Sequence, residues 1–112
     1  MSAVLRYSDA ARRDLRQIWL DVYAVSADRL TTDKYLADMR ALIRDKSAFP
    51  RSGHPLVFSG MFTGFYMLTF KAYHIFYQVD NKGMRAVRIL HHRMDSIRVL
   101  FGNSDTFEDT DS

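Results

Sequence analysis

The chain has no cysteine among its 112 residues. Disulfide frameworks and thiolate metal sites are thereby excluded, and a reducing compartment is permitted. Prolines number two and glycines five, too few for a collagen-like or low-complexity chain. No apolar run approaches the ~20 residues that a bilayer-crossing helix needs. Met1-Ser2-Ala3-Val4-Leu5-Arg6 lacks the basic start and long apolar stretch of a secretory signal. The expectation is a protein that makes no membrane contact and stays in the cytoplasm.

What is present is ordinary for a folded domain. Hydrophobic residues are 47% and charged residues 26%, which argues against disorder, and the length suits one domain. The net charge is +3 but unevenly spread: Asp105, Glu108, Asp109 and Asp111 fall in residues 105–112, which hold no Lys or Arg. Without those four acids, 16 basic groups face 9 acidic ones, a body of about +7. Such a body suits an acidic or polyanionic partner. Residues 1–102 read as one domain, and 103–112 as a polar acidic tail expected to be mobile.

Residues 5–7 are a short candidate strand. Ser8-Asp9 offers a helix cap, because a short side-chain oxygen accepts from free first-turn amides. Ala11, Leu15, Ile18, Trp19 and Val22 then follow at helical spacing. Asp28 caps a second helix running to about Lys46, with Tyr35, Leu36, Met39, Leu42 and Ile43 as its apolar stripe. The short connection predicts an antiparallel helix pair. Two prolines and a glycine make residues 49–55 a loop. Beyond it the period becomes strand-like, over residues 65–70, 73–80 and 84–92. Lys71-Ala72 has to be a tight turn, and Asp80-Asn81-Lys82-Gly83 a hairpin turn with Asn81 and Gly83 free to take positive φ. Residues 96–101 read as a short helix or an extended segment. The predicted class is α+β: a short N-terminal strand and an antiparallel two-helix hairpin packed on an antiparallel sheet of three to four strands.

Four stretches in this order resemble ParE toxins of the RelE/ParE superfamily, the toxin half of type II toxin–antitoxin modules. Ala10-Ala11-Arg12-Arg13-Asp14-Leu15-Arg16-Gln17-Ile18-Trp19 is similar to the family's opening helix. Phe49-Pro50-Arg51-Ser52-Gly53-His54-Pro55 resembles its Phe-Pro-x-x-Gly-x-Pro loop. Ile75-Phe76-Tyr77 looks like its central strand, and Leu90-His91-His92-Arg93-Met94-Asp95 like its Leu-His-x-x-Met-Asp ending. The resemblance implies a RelE/ParE-like fold, no cofactor, and a cognate ParD-like antitoxin that wraps the toxin in a heterotetramer or larger complex. It also implies growth inhibition by binding DNA gyrase. The superfamily's other branch implies a ribosome-dependent mRNA endonuclease instead. Gly64-Phe65-Tyr66-Met67 stands where many relatives carry an arginine, which keeps open a non-toxic relative that only binds antitoxin.

The residues themselves bear on that choice. RNA cleavage through the 2′-OH needs a base, an acid and cations on the phosphate. Lys71, His74, Tyr77, Arg85, Arg88 and His91 supply those types. Strand alternation, however, sets His74 against Tyr77 and Arg88 against His91. The adjacent His91 and His92 likewise face opposite ways, which disfavours a shared metal. Arg85, Arg88 and Arg93, with Arg98 beyond, form a basic edge for an acidic partner or a solvated face. Trp19, Tyr23, Tyr35 and Met39 read as core, with part of the stripe left as a groove for an acidic amphipathic segment. The candidate partner-binding residues are therefore Trp19, Tyr23, Arg85, Arg88, His91, His92, Arg93, Met94 and Asp95, with no metal and no assigned catalytic residue.

Overall fold

The computed structural model describes residues 4–102. A first strand, β1 (Val4–Tyr7), leads into α1 (Asp9–Ser26) and α2 (Arg29–Lys46). The capping expectations hold. Ser8 Oγ accepts from the Ala11 amide, and Asp28 accepts from the Thr31 amide, each satisfying a donor that the helix cannot. Between the helices, Ala27 takes the left-handed conformation at φ 54° and donates its N–H to the Tyr23 carbonyl, which ends α1 within a single residue. Two linking residues leave the helices no room to be other than neighbours.

A 3₁₀ turn (Pro50–Ser52) precedes four consecutive strands: β2 (His54–Phe58), β3 (Met61–Phe70), β4 (Tyr73–Asp80) and β5 (Gly83–His91). The sheet order is β1-β5-β4-β3-β2. β1 pairs parallel with β5, and every other pair is antiparallel. The sheet is thus five-stranded and mixed, where three to four antiparallel strands were expected. Two features account for the difference. The intervening α1–α2 hairpin is long enough for the crossover that a parallel pair demands. β2 begins inside the stretch read as loop, 49–55, and runs on into residues that were given no element; its Pro55 is tolerable because β2 is an edge strand. Ser59 and Gly60, at φ 54° and 79°, close a two-residue turn, so β3 begins at Met61 instead of Phe65.

The remaining turns are tight as expected. Lys71 adopts φ 51°. In the last hairpin Gly83 takes φ 136°, while the Asp80 carboxylate accepts from the Lys82 and Gly83 amides; Asn81 keeps a negative φ.

The helix stripes close over one sheet face. Leu15, Ile18, Leu36, Met39 and Ile43 pack with Ile75, Tyr77, Met84, Ala86 and Ile89 in a single core. The opposite face is covered in part by α3 (Ser96–Phe101), whose Phe101 meets Phe65 edge-on with ring centroids 5.5 Å apart. Phe76 and Leu90 are buried on this side. Asp95 caps α3 by accepting from the Arg98 amide, which settles residues 96–101 as helix. The polar acidic tail predicted over 103–112 lies outside the described residues.

Candidate functional site

β1 ends at its Tyr7↔Ala86 pair, so β5 has no strand neighbour on that side from Val87 onward. Side chains replace the missing strand. Ser8 Oγ donates to the Val87 carbonyl at 2.6 Å. The Asp14 carboxylate accepts from the Ile89 amide at 2.9 Å and from the Arg88 guanidinium at 2.8 and 3.1 Å. A carboxylate holding a two-point arginine contact and a backbone amide together is a strong, directional arrangement. It also reassigns Arg88. The sequence made this residue part of an open basic edge, but its charge is matched within the fold by Asp14.

A cleft of about 280 Å³ opens beside this contact, lined by Asp14, Asp21, Tyr73, Arg88, His91 and Met94 among others. Arg88 and His91 both reach it, although alternation opposed them. Register with β4 is unbroken from Arg88 to His91, so the two side chains do leave opposite faces. The long Arg88 side chain reaches Asp14 and the cleft around the β5 edge that β1 leaves open.

The two adjacent histidines also depart from expectation. Their rings stack with centroids 4.6 Å apart. β5 stops at His91, so strict alternation lapses before His92 and the rings fall on the same side. The His91 ring lies edge-on to Tyr73 at 5.4 Å, and its Nδ1 accepts from the Arg93 amide. The His92 amide donates to the Ala72 carbonyl at 2.7 Å. His74, which contacts Thr69 Oγ1 through Nδ1 at 3.3 Å, is held below the usual imidazole range by burial and then by His92. Three imidazoles thus share one end of the sheet. Among the described residues, however, no group of three or more His, Cys, Asp or Glu is placed to hold a metal ion.

Tyr77, a candidate acid on composition, is a core residue. Its hydroxyl donates to the Pro50 carbonyl at 2.7 Å, and burial, with Tyr66 second, pushes its pKa up to about 12. Gly53 is required beside it, because a Cβ there would lie 1.8 Å from the Tyr77 hydroxyl oxygen. The Pro-x-x-Gly loop is therefore a clasp on the central strand.

The helix side carries a second surface. Trp19 and Tyr23 stack at 5.1 Å with their planes 13° apart, and Trp19 Nε1 donates to Asp33 at 2.8 Å across to α2. Tyr23 is exposed, where core was expected. Beside this ledge lies an open, mainly apolar cleft of about 380 Å³ lined by Leu15, Trp19, Leu36 and Ala37, with Arg16 and Arg40 at its rim. Of the other sequence candidates, Arg85, His92, Arg93 and Met94 are exposed, and Asp95 is occupied as a helix cap. Asp14 and Asp33 were missed, since a lone acid on a helix face gives no sign of its partner 74 or 14 residues away.

A two-helix hairpin on a mixed five-stranded sheet, with a short helix closing the far face, defines the architectural class of the ParE and RelE toxins. Two solved structures share it. A chromosomal ParDE system from P. aeruginosa superposes with a TM-score of 0.67 at 20% identity, over 80% of this chain and 96% of the other. The RelBE2 toxin–antitoxin complex of Mycobacterium tuberculosis gives 0.57 at 22% identity, over 81% and 92%. No curated protein matches the chain in sequence. The family described as ParE toxin of the type II toxin–antitoxin system parDE matches residues 5–96, and the chain belongs to it.

Proposed function

We propose that this ParE-family toxin acts in the cytoplasm by binding DNA gyrase and stalling it on cleaved DNA, and that a cognate antitoxin neutralises it. One observation supports binding over chemistry. Two of the groups that a nuclease would draw on are engaged in holding the fold: Arg88 by Asp14 and Tyr77 by Pro50. The antitoxin's acidic amphipathic segment suits the α1–α2 cleft, whose apolar lining is joined by Arg16 and Arg40 and whose acid, Asp33, is already bonded to Trp19. Among the described residues, no helix is long and apolar enough to cross a membrane. The test is purified protein added to a gyrase supercoiling and DNA-cleavage assay. Trapped cleavage complexes are expected, and unchanged gyrase at concentrations that stop growth would falsify the reading.

A ribosome-dependent mRNA endonuclease is the second reading, favoured by the imidazole cluster at His74, His91 and His92. A neutral His74 is a competent base near pH 7. Mapping mRNA 5′ ends after induction distinguishes the two, because only the nuclease leaves new codon-positioned ends.

A further inference from the structure

The β2–β3 hairpin reaches past the rest of the sheet. The β3–β4 ladder stops at Tyr66↔Tyr77, while β2 and β3 go on pairing through Val57↔Phe62 and Phe58↔Met61. From Tyr66 to Phe62 the strand advances about 13 Å. At this tip Val57, Phe58, Met61 and Phe62 are 52% to 73% exposed, together roughly 400 Å² of apolar side chain, the size of a functional patch. Residues 55–70 contain no acid, base or histidine.

The tip is a built object. Ser59 and Gly60 both hold positive φ, the requirement of the tight hairpin turn whose twist matches its strands. Thr63 Oγ1 donates to the Leu56 carbonyl at 2.8 Å and braces the register shift between Pro55 and Val57. The Phe62 ring meets Tyr66 edge-on at 5.4 Å, and Tyr66 stacks on the buried Tyr77. A rigid knob, tied to the core, presents uncovered aromatic and thioether groups.

We propose that this tip is the element of the toxin that inserts into an uncharged apolar cleft on its protein target, an inference that rests on the toxin reading above. Its chemistry selects that occupant. A nucleic acid or an anionic membrane would call for cations on the tip, and it has none. A second copy fits poorly: roughly 400 Å² per partner is half of what a standard interface buries. Edge pairing is also blunted at β2 by a proline and a bulge. Alternation places Val57 and Phe62 on one face and Phe58 and Met61 on the other, so both faces are apolar. A flat partner would cover one face only, whereas a cleft covers both. The tip is thus an anchor of the kind that dominates binding energy from a small area.

The experiment compares the wild-type chain with Phe58→Thr/Met61→Thr, which keeps strand propensity, and with Phe58→Leu/Met61→Leu, which keeps the apolar surface. Thermal unfolding and binding to the purified antitoxin serve as fold controls, and Met61→Thr alone serves if the double Thr variant does not fold. Growth arrest without antitoxin, and binding to purified gyrase, are the readouts. The expected result is unchanged melting and antitoxin affinity, with arrest abolished and gyrase binding at least tenfold weaker in the Thr variants but not the Leu variant. Equal arrest by wild type and the Thr variants overturns the proposal. So does a loss of antitoxin binding in a folded Thr variant, or concentration-dependent self-association that the Thr variants abolish. If the wild type arrests growth without binding gyrase, the gyrase reading fails while the arrest comparison still decides the tip. A wild type that does not arrest growth sinks both.

Discussion

The two ends of the sheet solve the same problem in opposite ways. Where β1 runs out, the exposed side of β5 is filled by Ser8 and Asp14, which engage the Val87 carbonyl, the Arg88 guanidinium and the Ile89 amide. Where β4 parts from β3, the β2–β3 tip carries on with apolar side chains that none of the described residues covers. The first end is self-sufficient and contributes to stability. The second leaves Val57, Phe58, Met61 and Phe62 largely exposed. One sheet thus carries an ion pair held on an edge amide at one end and a charge-free aromatic knob at the other.

Substitutions can break this contrast, and the largest effect belongs to the wired end. Asp14→Ala strips acceptors from the Arg88 guanidinium and the Ile89 amide, and is expected to cost about 2–3 kcal/mol. Urea unfolding measures it; a cost near zero would mean that water replaces the carboxylate freely. Next is Gly53→Ala, whose added Cβ meets the Tyr77 hydroxyl; about 1–3 kcal/mol is expected from overpacking, with Tyr77→Phe relieving much of it in the double variant. Tyr77→Phe alone should cost about 1 kcal/mol, the worth of its bond to Pro50. At the tip, Met61→Thr should fall within about 0.5 kcal/mol of wild type. A larger loss there would erase the distinction between the two ends.

The pH dependence sharpens the comparison further. The folded-state pKa of His74 lies below its ordinary value of 6.5. As pH falls through 6.5, the unfolded chain takes up a proton that the folded chain refuses, so His74 lowers stability progressively until its folded pKa is passed. Denaturant midpoints between pH 7.5 and 5 should therefore fall, and His74→Gln should flatten that slope.

Much of this was legible in the sequence, for local reasons. Ser8 and Asp28 as caps, the helix stripes and the tight turns depend on neighbours a few residues away. The hidden parts depend on long-range pairing. Arg88 looked free because Asp14, its partner, lies on a helix 74 residues earlier. His91 and His92 looked opposed because the end of β5 could not be fixed to within one residue. β2 was missed, its start read as loop, because Pro55 argues against a strand unless the strand is known to be an edge. Of the surfaces, Trp19 and Tyr23 were named from spacing, whereas the tip was overlooked even though its charge-free run was visible.

The parallel β1–β5 pair has a consequence for how the chain is made. Val4 aligns with Gly83, and Tyr7 with Ala86, so the first strand synthesised has no place until the last one has left the ribosome. The α1–α2 hairpin can form early, but its apolar stripes have no sheet to cover until β3, β4 and β5 arrive. Such non-local closure slows folding. A chain interrupted anywhere before residue 86 lacks the partner for β1, and one interrupted before residue 88 also lacks the cation for Asp14. The finished fold is therefore available only once β5 has been made, and translation of that strand sets the earliest moment at which the sheet can close.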